Sequence, residues 1–135
     1  MIKNIFAVFL LSSMLFACHS KKGNPTTALD TGRLFIRTTL DGNFNDAEDL
    51  LYKDTMNVEI FESYKAFFSR LPDDTKDNYK QSDYTINKYT DLNDSTAVID
   101  YSNSYMNKPM QIKVLKINGQ WKIDFKYTTS ADSTN

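Results

Sequence analysis

The chain is poor in the residues on which most side-chain chemistry depends. Its 135 residues hold one cysteine, Cys18, and one histidine, His19, side by side near the N-terminus. Neither a thiol nor an imidazole occurs anywhere from Ser20 to Asn135. That excludes Cys-His and Ser-His nucleophile pairs from the bulk of the chain, and with them the usual zinc sites. A single cysteine also excludes an internal disulfide, so the folded part must stand on its own core. Only four glycines and three prolines occur, and no glycine-rich phosphate loop or nucleophile elbow can be built from them. No apolar run reaches the ~20 residues that a helix needs to cross a bilayer; the N-terminal one, Ile5 to Leu11, is interrupted by Ser12 and Ser13. An excess of charge is missing too. Sixteen basic against 17 acidic residues leave −1, with no basic stripe that would serve as a footprint for nucleic acid.

What the N-terminus does have is the anatomy of a secretory signal: a positive start at Lys3, the apolar run, and a second apolar patch from Met14 to Ala17 beside Ser12 and Ser13. Leu15-Phe16-Ala17-Cys18 resembles the lipobox of bacterial lipoproteins. The resemblance implies removal of residues 1-17, lipidation of Cys18, and a protein held on a cell-envelope membrane by its acyl chains rather than spanning it. The alternative for Cys18 is an incidental thiol in an ordinary secretory signal. Removal of Lys3 moves the formal charge of the remaining 118 or so residues to −2. That length suits one domain. Residues 18-28, with Lys21, Lys22, Gly23, Asn24 and Pro25, read as a lipidated cysteine and flexible tether. Residues 29-127 read as the folded domain, and the polar run 128-135 as a disordered tail.

Three helices are expected first. Leu29 to Leu40 repeats apolar residues and stops at Gly42. A short second helix follows, capped by Asn43 or Asn45, with Asp46, Glu48 and Asp49 in its favourable first turn and its end near Tyr52 or Lys53. In the third, Asn57 to about Leu71, the residues Ile60, Phe61, Tyr64, Phe67, Phe68 and Leu71 fall on one face of a 3.6-residue period, and Pro72 closes it. Asp73, Asp74 and Asp77 then read as solvated loop acids. Four strands are expected next: Gln81 to Tyr89, Thr96 to Tyr105, a third from Met110 to Ile117, and a fourth in which Trp121, Ile123, Phe125 and Tyr127 alternate with Lys122, Asp124 and Lys126. Asn118-Gly119 between the last two is a strong two-residue hairpin signal. Helices followed by an antiparallel meander give an α+β fold.

Two stretches carry a further likeness. One is Phe35-Ile36 followed by Leu40-Asp41-Gly42-Asn43-Phe44-Asn45-Asp46-Ala47. The other is the closing Leu115-Lys116-Ile117-Asn118-Gly119-Gln120-Trp121-Lys122-Ile123. Together with the order of elements they resemble the NTF2-like superfamily, and within it the small exported domains of unknown function found on bacterial lipoproteins. The resemblance covers residues 29 to 127. It implies three helices packed on a curved four-stranded antiparallel sheet, forming a cone with a pocket at its open end. The superfamily ranges from isomerases and dehydratases to binding and dimerisation modules, so fold alone does not fix function.

Without its signal, the chain keeps six of nine phenylalanines, all eight tyrosines and the one tryptophan. Aromatics on one face of a helix and of a bent strand are ordinary core. Lining a cone, the same face would offer Tyr84, Tyr101, Tyr105, Trp121 and Phe125 to an apolar ligand. The isomerase precedent needs a carboxylate beside a tyrosine in an apolar site. Asp100 and Asp124 are the candidates, with Tyr84 or Tyr101, but strand alternation turns both carboxylates away from the aromatic face. Neither Asp73, Asp74 and Asp77 nor Asp91 and Asp94 has the loop spacing of a calcium hand. The expectation is a non-enzymatic, membrane-anchored domain with no metal and no cofactor, binding an apolar small molecule or a protein partner. The alternatives are a small isomerase or lyase and a structural homodimerisation module.

Overall fold

The computed structural model describes residues 23–131, with side chains as far as Thr128. The signal, Cys18 and residues 132–135 lie outside the described residues. The order of elements is α1 (Ala28–Leu40), α2 (Phe44–Asp49), α3 (Thr55–Ser69), α4 (Asp73–Gln81), β1 (Tyr84–Asn93), β2 (Thr96–Asn103), β3 (Met110–Ile117), β4 (Gln120–Asp124) and α5 (Phe125–Ala131). The fold is α+β, with four antiparallel strands in the order β1-β2-β3-β4. No helix of the described residues is long and apolar enough to cross a membrane.

Local chemistry starts the helices where the caps are. Thr27 accepts from Asp30 N at 3.0 Å to open α1, and Asp54 accepts from Asn57 N at 2.7 Å to open α3. Gly42, at φ +73, ends the first helical segment in the left-handed region. The threonines of α1 are buried at no cost in hydrogen bonds, because each bonds back along its own helix. Thr31 donates to Thr27 O at 2.8 Å, Thr38 to Leu34 O at 2.8 Å and Thr39 to Phe35 O at 3.0 Å. Asn118 and Gly119 take φ of +49 and +78 in the β3–β4 turn, as an Asn-Gly hairpin requires.

The core lies between α1 and one face of the sheet. Phe35 and Ile36 of α1 meet Ala97, Ile99, Ile112, Val114 and Ile123, all but fully buried, with Phe61 of α3 alongside. Contact is close enough to require glycine at Gly32, where a Cβ would stand 2.2 Å from Ile99 Cδ1. Residues 50–52 close the outer edge of β4, through Ile123 N to Leu50 O at 2.8 Å and Tyr52 N to Ile123 O at 2.9 Å.

Three expectations are corrected. The acidic stretch after Pro72 is helix α4 and not a loop, so four helices rather than three precede a sheet that begins at Tyr84 rather than Gln81. Its first turn carries Asp73 and Asp74, and its C-terminal carbonyls are held by Arg37, which donates to Lys80 O at 3.0 Å and Ser82 O at 2.9 Å. The second helix stops at Asp49, short of Tyr52, because its chain turns to pair with β4. The last strand ends at Asp124, and Phe125 to Ala131 form α5, taking in residues 128–131 that read as tail. This helix packs against β3 where the shorter β4 leaves its edge uncovered.

Candidate functional site

The five aromatics expected on a pocket face differ in burial, and none of them lines either of the two grooves described below. Phe125 and Tyr101 are buried in the core, and Tyr84 and Trp121 are half-buried against it. Tyr105 is 43% exposed. Phe125 owes its position to the start of α5, which swings its ring inward onto Phe61 (centroids 5.3 Å apart, 90°), Tyr64 (5.7 Å) and Phe35 (5.9 Å). From there edge-on and tilted contacts run through Phe44 and Phe68 (5.0 Å), Phe68 and Tyr79 (5.9 Å), and Tyr79 and Tyr105 (4.9 Å). The rings form a continuous chain from the sheet to the surface. Packing of this kind contributes about 0.5–1.5 kcal/mol per pair beyond the area buried.

The open space lies beside that chain. A groove of about 650 Å³ runs along α2, α3 and the start of α4. Phe44 and Phe68 supply apolar lining, and Asn43, Asn45, Glu62, Lys65 and Lys76 supply the polar part. Its cations are held in place: Lys65 Nζ lies 2.8 Å from Glu62 and 3.3 Å from Glu48, and Lys76 Nζ donates to Ser69 O at 2.9 Å. The hydrogen bond to Glu62, then that to Glu48, pushes the Lys65 pKa up against burial. A second groove, of about 580 Å³, is lined by Asn24, Leu51, Tyr52 and Lys53 and by Ile117, Asn118, Gln120 and Lys122 around the β3–β4 turn.

The phenols are poor proton acceptors. Burial drives Tyr64 up to about 12, Tyr79 up, helped by Tyr105, and Tyr101 higher still. Tyr89 is pushed to about 12 by burial and by its hydrogen bond to Asp91 at 2.5 Å. At neutral pH these groups are neutral and can only donate or weakly accept.

The carboxylates considered for chemistry sit elsewhere. Asp100 lies between Lys88 on β1 and Gln111 on β3, on the face of the sheet opposite Ile99 and Tyr101. One of its oxygens is buried without a hydrogen bond. Asp124 is buried at the end of β4, where it accepts from Asn57 Nδ2 at 3.2 Å and stands 3.4 Å from Lys126 Nζ. Asn57 is fully buried and also accepts from Lys126 N at 2.8 Å. Lys126 pairs with Asp54 as well. That hydrogen bond, followed by the one from Asn57 N, holds Asp54 below its ordinary 3.8. Asp54 in turn is the first cause raising Lys126. These four side chains form a polar knot tying the start of α3 to the β4–α5 junction. Among the described residues no three His, Cys, Asp or Glu side chains converge as a metal site.

No protein-family model, curated protein or solved structure matches this chain.

Sequence reasoning missed the groove and the knot. Phe44 and Phe68 carry no signal beyond their place on apolar helix faces, and α4 contributes Lys76 to their groove. Asn57 had a legible signal in Asp54-Thr55-Met56-Asn57, a cap three residues before a buried amide.

Proposed function

We propose that this chain is an exported lipoprotein, anchored through Cys18 to a bacterial envelope membrane, whose NTF2-like domain is a non-enzymatic module for a protein partner. The domain presents the groove along α2, α3 and α4 to a short segment of that partner. The observation that carries the choice of a protein over an apolar small molecule is the fate of the aromatic face. Tyr101 and Phe125 are spent on the core, and a groove that mixes Phe44 and Phe68 with amides and paired charges suits a peptide. A peptide can bury its apolar side chains on the two phenylalanines while its backbone meets Asn43 and Asn45. The lipid anchor rests on Leu15-Phe16-Ala17-Cys18.

A photoreactive amino acid at Ala66, in the groove, tests this in cells, with Lys88 on the sheet as control position. A discrete protein adduct from position 66 and none from position 88 is expected. No adduct, together with a stoichiometric small molecule extracted from the purified protein, would replace the partner with a ligand.

A further inference from the structure

The five residues between Cys18 and Asn24 limit how the domain can face a membrane. A fully extended chain gains at most about 3.6 Å per residue, so over six residue steps Asn24 stands no more than about 22 Å from the lipidated cysteine. Asn24 lies in the groove formed with the β3–β4 turn and Lys53. β3 has eight residues and is about 26 Å long. Turning the opposite end of the sheet to the bilayer would lift Asn24 beyond the reach of its tether. The β3–β4 corner is under no such restriction.

The chemistry of that corner suits the surface to which it is confined. Lys53 and Lys116 are exposed, and Lys122 is half-buried, with its ammonium donating to Asp49 O at 2.9 Å. Lys116 Nζ lies 5.6 Å from the ring centroid of Trp121, which leaves a cation and a half-exposed indole side by side. Indole rings with one wet edge settle at the headgroup level of bilayers. The acids at the same end are Asp91 on β1 and Asp94 in the β1–β2 turn; that turn bonds to β3 through Lys116 N to Ser95 O at 2.8 Å, and β3 separates it from Lys122 on β4. Asp49 is the one carboxylate lining the groove beside Asn24.

We infer that the β3–β4 corner contacts the membrane end-on, with Lys116 and Trp121 on one side of the hairpin and Lys53 and Lys122 on the other, so that the three lysines meet anionic phospholipid headgroups and Trp121 enters the interface. The inference rests on the lipid anchor at Cys18 and adds orientation to it. The acyl chains hold the protein on the bilayer, and the corner decides which side of the domain faces away. A lysine close to an anionic surface shifts the ratio of docked to undocked domain about fivefold, so three together shift it about a hundredfold. The effect is screened by salt.

Trp121 is the only tryptophan in the chain, and its emission reads the contact directly. The full lipidated protein is reconstituted into vesicles of phosphatidylethanolamine and phosphatidylglycerol containing brominated lipid, and into phosphatidylcholine vesicles with the same quencher. Intact mass and flotation establish acylation and vesicle binding. The expected result is a blue shift and strong quenching on the anionic vesicles, lost in high salt and on phosphatidylcholine. Combined Lys53→Gln, Lys116→Gln and Lys122→Gln substitution should remove the quenching without releasing the protein, while Lys88→Gln should not. An acylated, vesicle-bound protein whose Trp121 stays unquenched on anionic lipid would overturn the contact face and leave the anchor standing. So would a triple variant quenched as strongly as the parent. A mature chain without acyl mass would overturn the anchor, and with it the tether constraint on which the face depends.

Discussion

Asn57 is the residue whose loss the fold should tolerate least for its size. It is fully buried, and its amide makes two bonds: Nδ2 donates to Asp124 at 3.2 Å, where Lys126 Nζ at 3.4 Å is another partner, and Oδ1 accepts from Lys126 N at 2.8 Å. Asn57→Ala leaves a buried carboxylate short of a donor and a part-buried backbone N–H without an acceptor. Bonds to charged groups contribute about 1.5–3 kcal/mol, and an orphaned buried partner costs about 1–3 kcal/mol. The sum, about 2.5–6 kcal/mol, is a large share of the 5–15 kcal/mol typical of a domain. Urea unfolding at neutral pH should show the midpoint falling with an unchanged slope. Asn57→Asp separates hydrogen bonding from packing. It keeps the shape and the acceptor for Lys126 N but sets a second carboxylate against Asp124. Like charge raises the carboxyl pKa values in the folded state above their unfolded values, so the variant is least impaired below pH ~4 and loses stability as pH rises through the raised folded values. An Asn57→Ala protein within about 1 kcal/mol of the parent, or an Asn57→Asp penalty that does not change between acid and neutral pH, would refute this reading of the knot.

Two further outcomes follow from the same contacts. Gly32→Ala forces a methyl to within 2.2 Å of Ile99 Cδ1 and 3.3 Å of Ile112 Cδ1 and should cost about 1–3 kcal/mol by thermal unfolding; Ile99→Val, which removes the clashing methyl, should recover part of the loss in the double variant, and additive losses would count against close packing there. Asp54 is held below its ordinary 3.8 first by Lys126, so its contribution is present above that value and disappears as pH falls through the folded pKa; the acid limb of the stability profile should be shallower in Asp54→Asn, and identical limbs would remove the pair from the account.

The parts of the fold that were legible in the sequence are those whose signal is local. Phe61 and Phe68 lie one seven-residue repeat apart on α3 and both are buried, and Asn118-Gly119 makes its turn with two positive φ values. α4 was hidden because Tyr79 is its only sizeable apolar residue: it has no apolar stripe, and it is held through Arg37 on its last carbonyls and Tyr79 against Phe68. α5 was hidden for the opposite reason. Phe125 and Tyr127 continue the alternation of Trp121 and Ile123 faithfully, yet Asn57 captures Lys126 N, and the Phe35–Phe61–Tyr64 cluster takes Phe125. Both contacts come from residues more than sixty positions away. A period of two cannot register them. Of the five aromatics expected on one face, Phe125 owes its burial to that helix, Tyr101 is buried on β2, and Tyr105 is exposed.

The same division governs how the domain can respond to its surroundings. Tyr64, Tyr79 and Tyr101 have pKa values raised by burial, so the aromatic chain stays uncharged across the physiological range and loses stability only as alkaline pH approaches those values. No histidine lies between Ser20 and Asn135, which removes the usual titration between pH 5 and 8. Asp54 and Lys126 move away from that window, Asp54 downward and Lys126 upward, first through their mutual hydrogen bond. Among the described residues, none of the resolved shifts moves a group toward neutrality. On the proposed reading, regulation would act from outside: through what occupies the Phe44–Phe68 groove, or through the salt and lipid charge met by Lys53, Lys116 and Lys122.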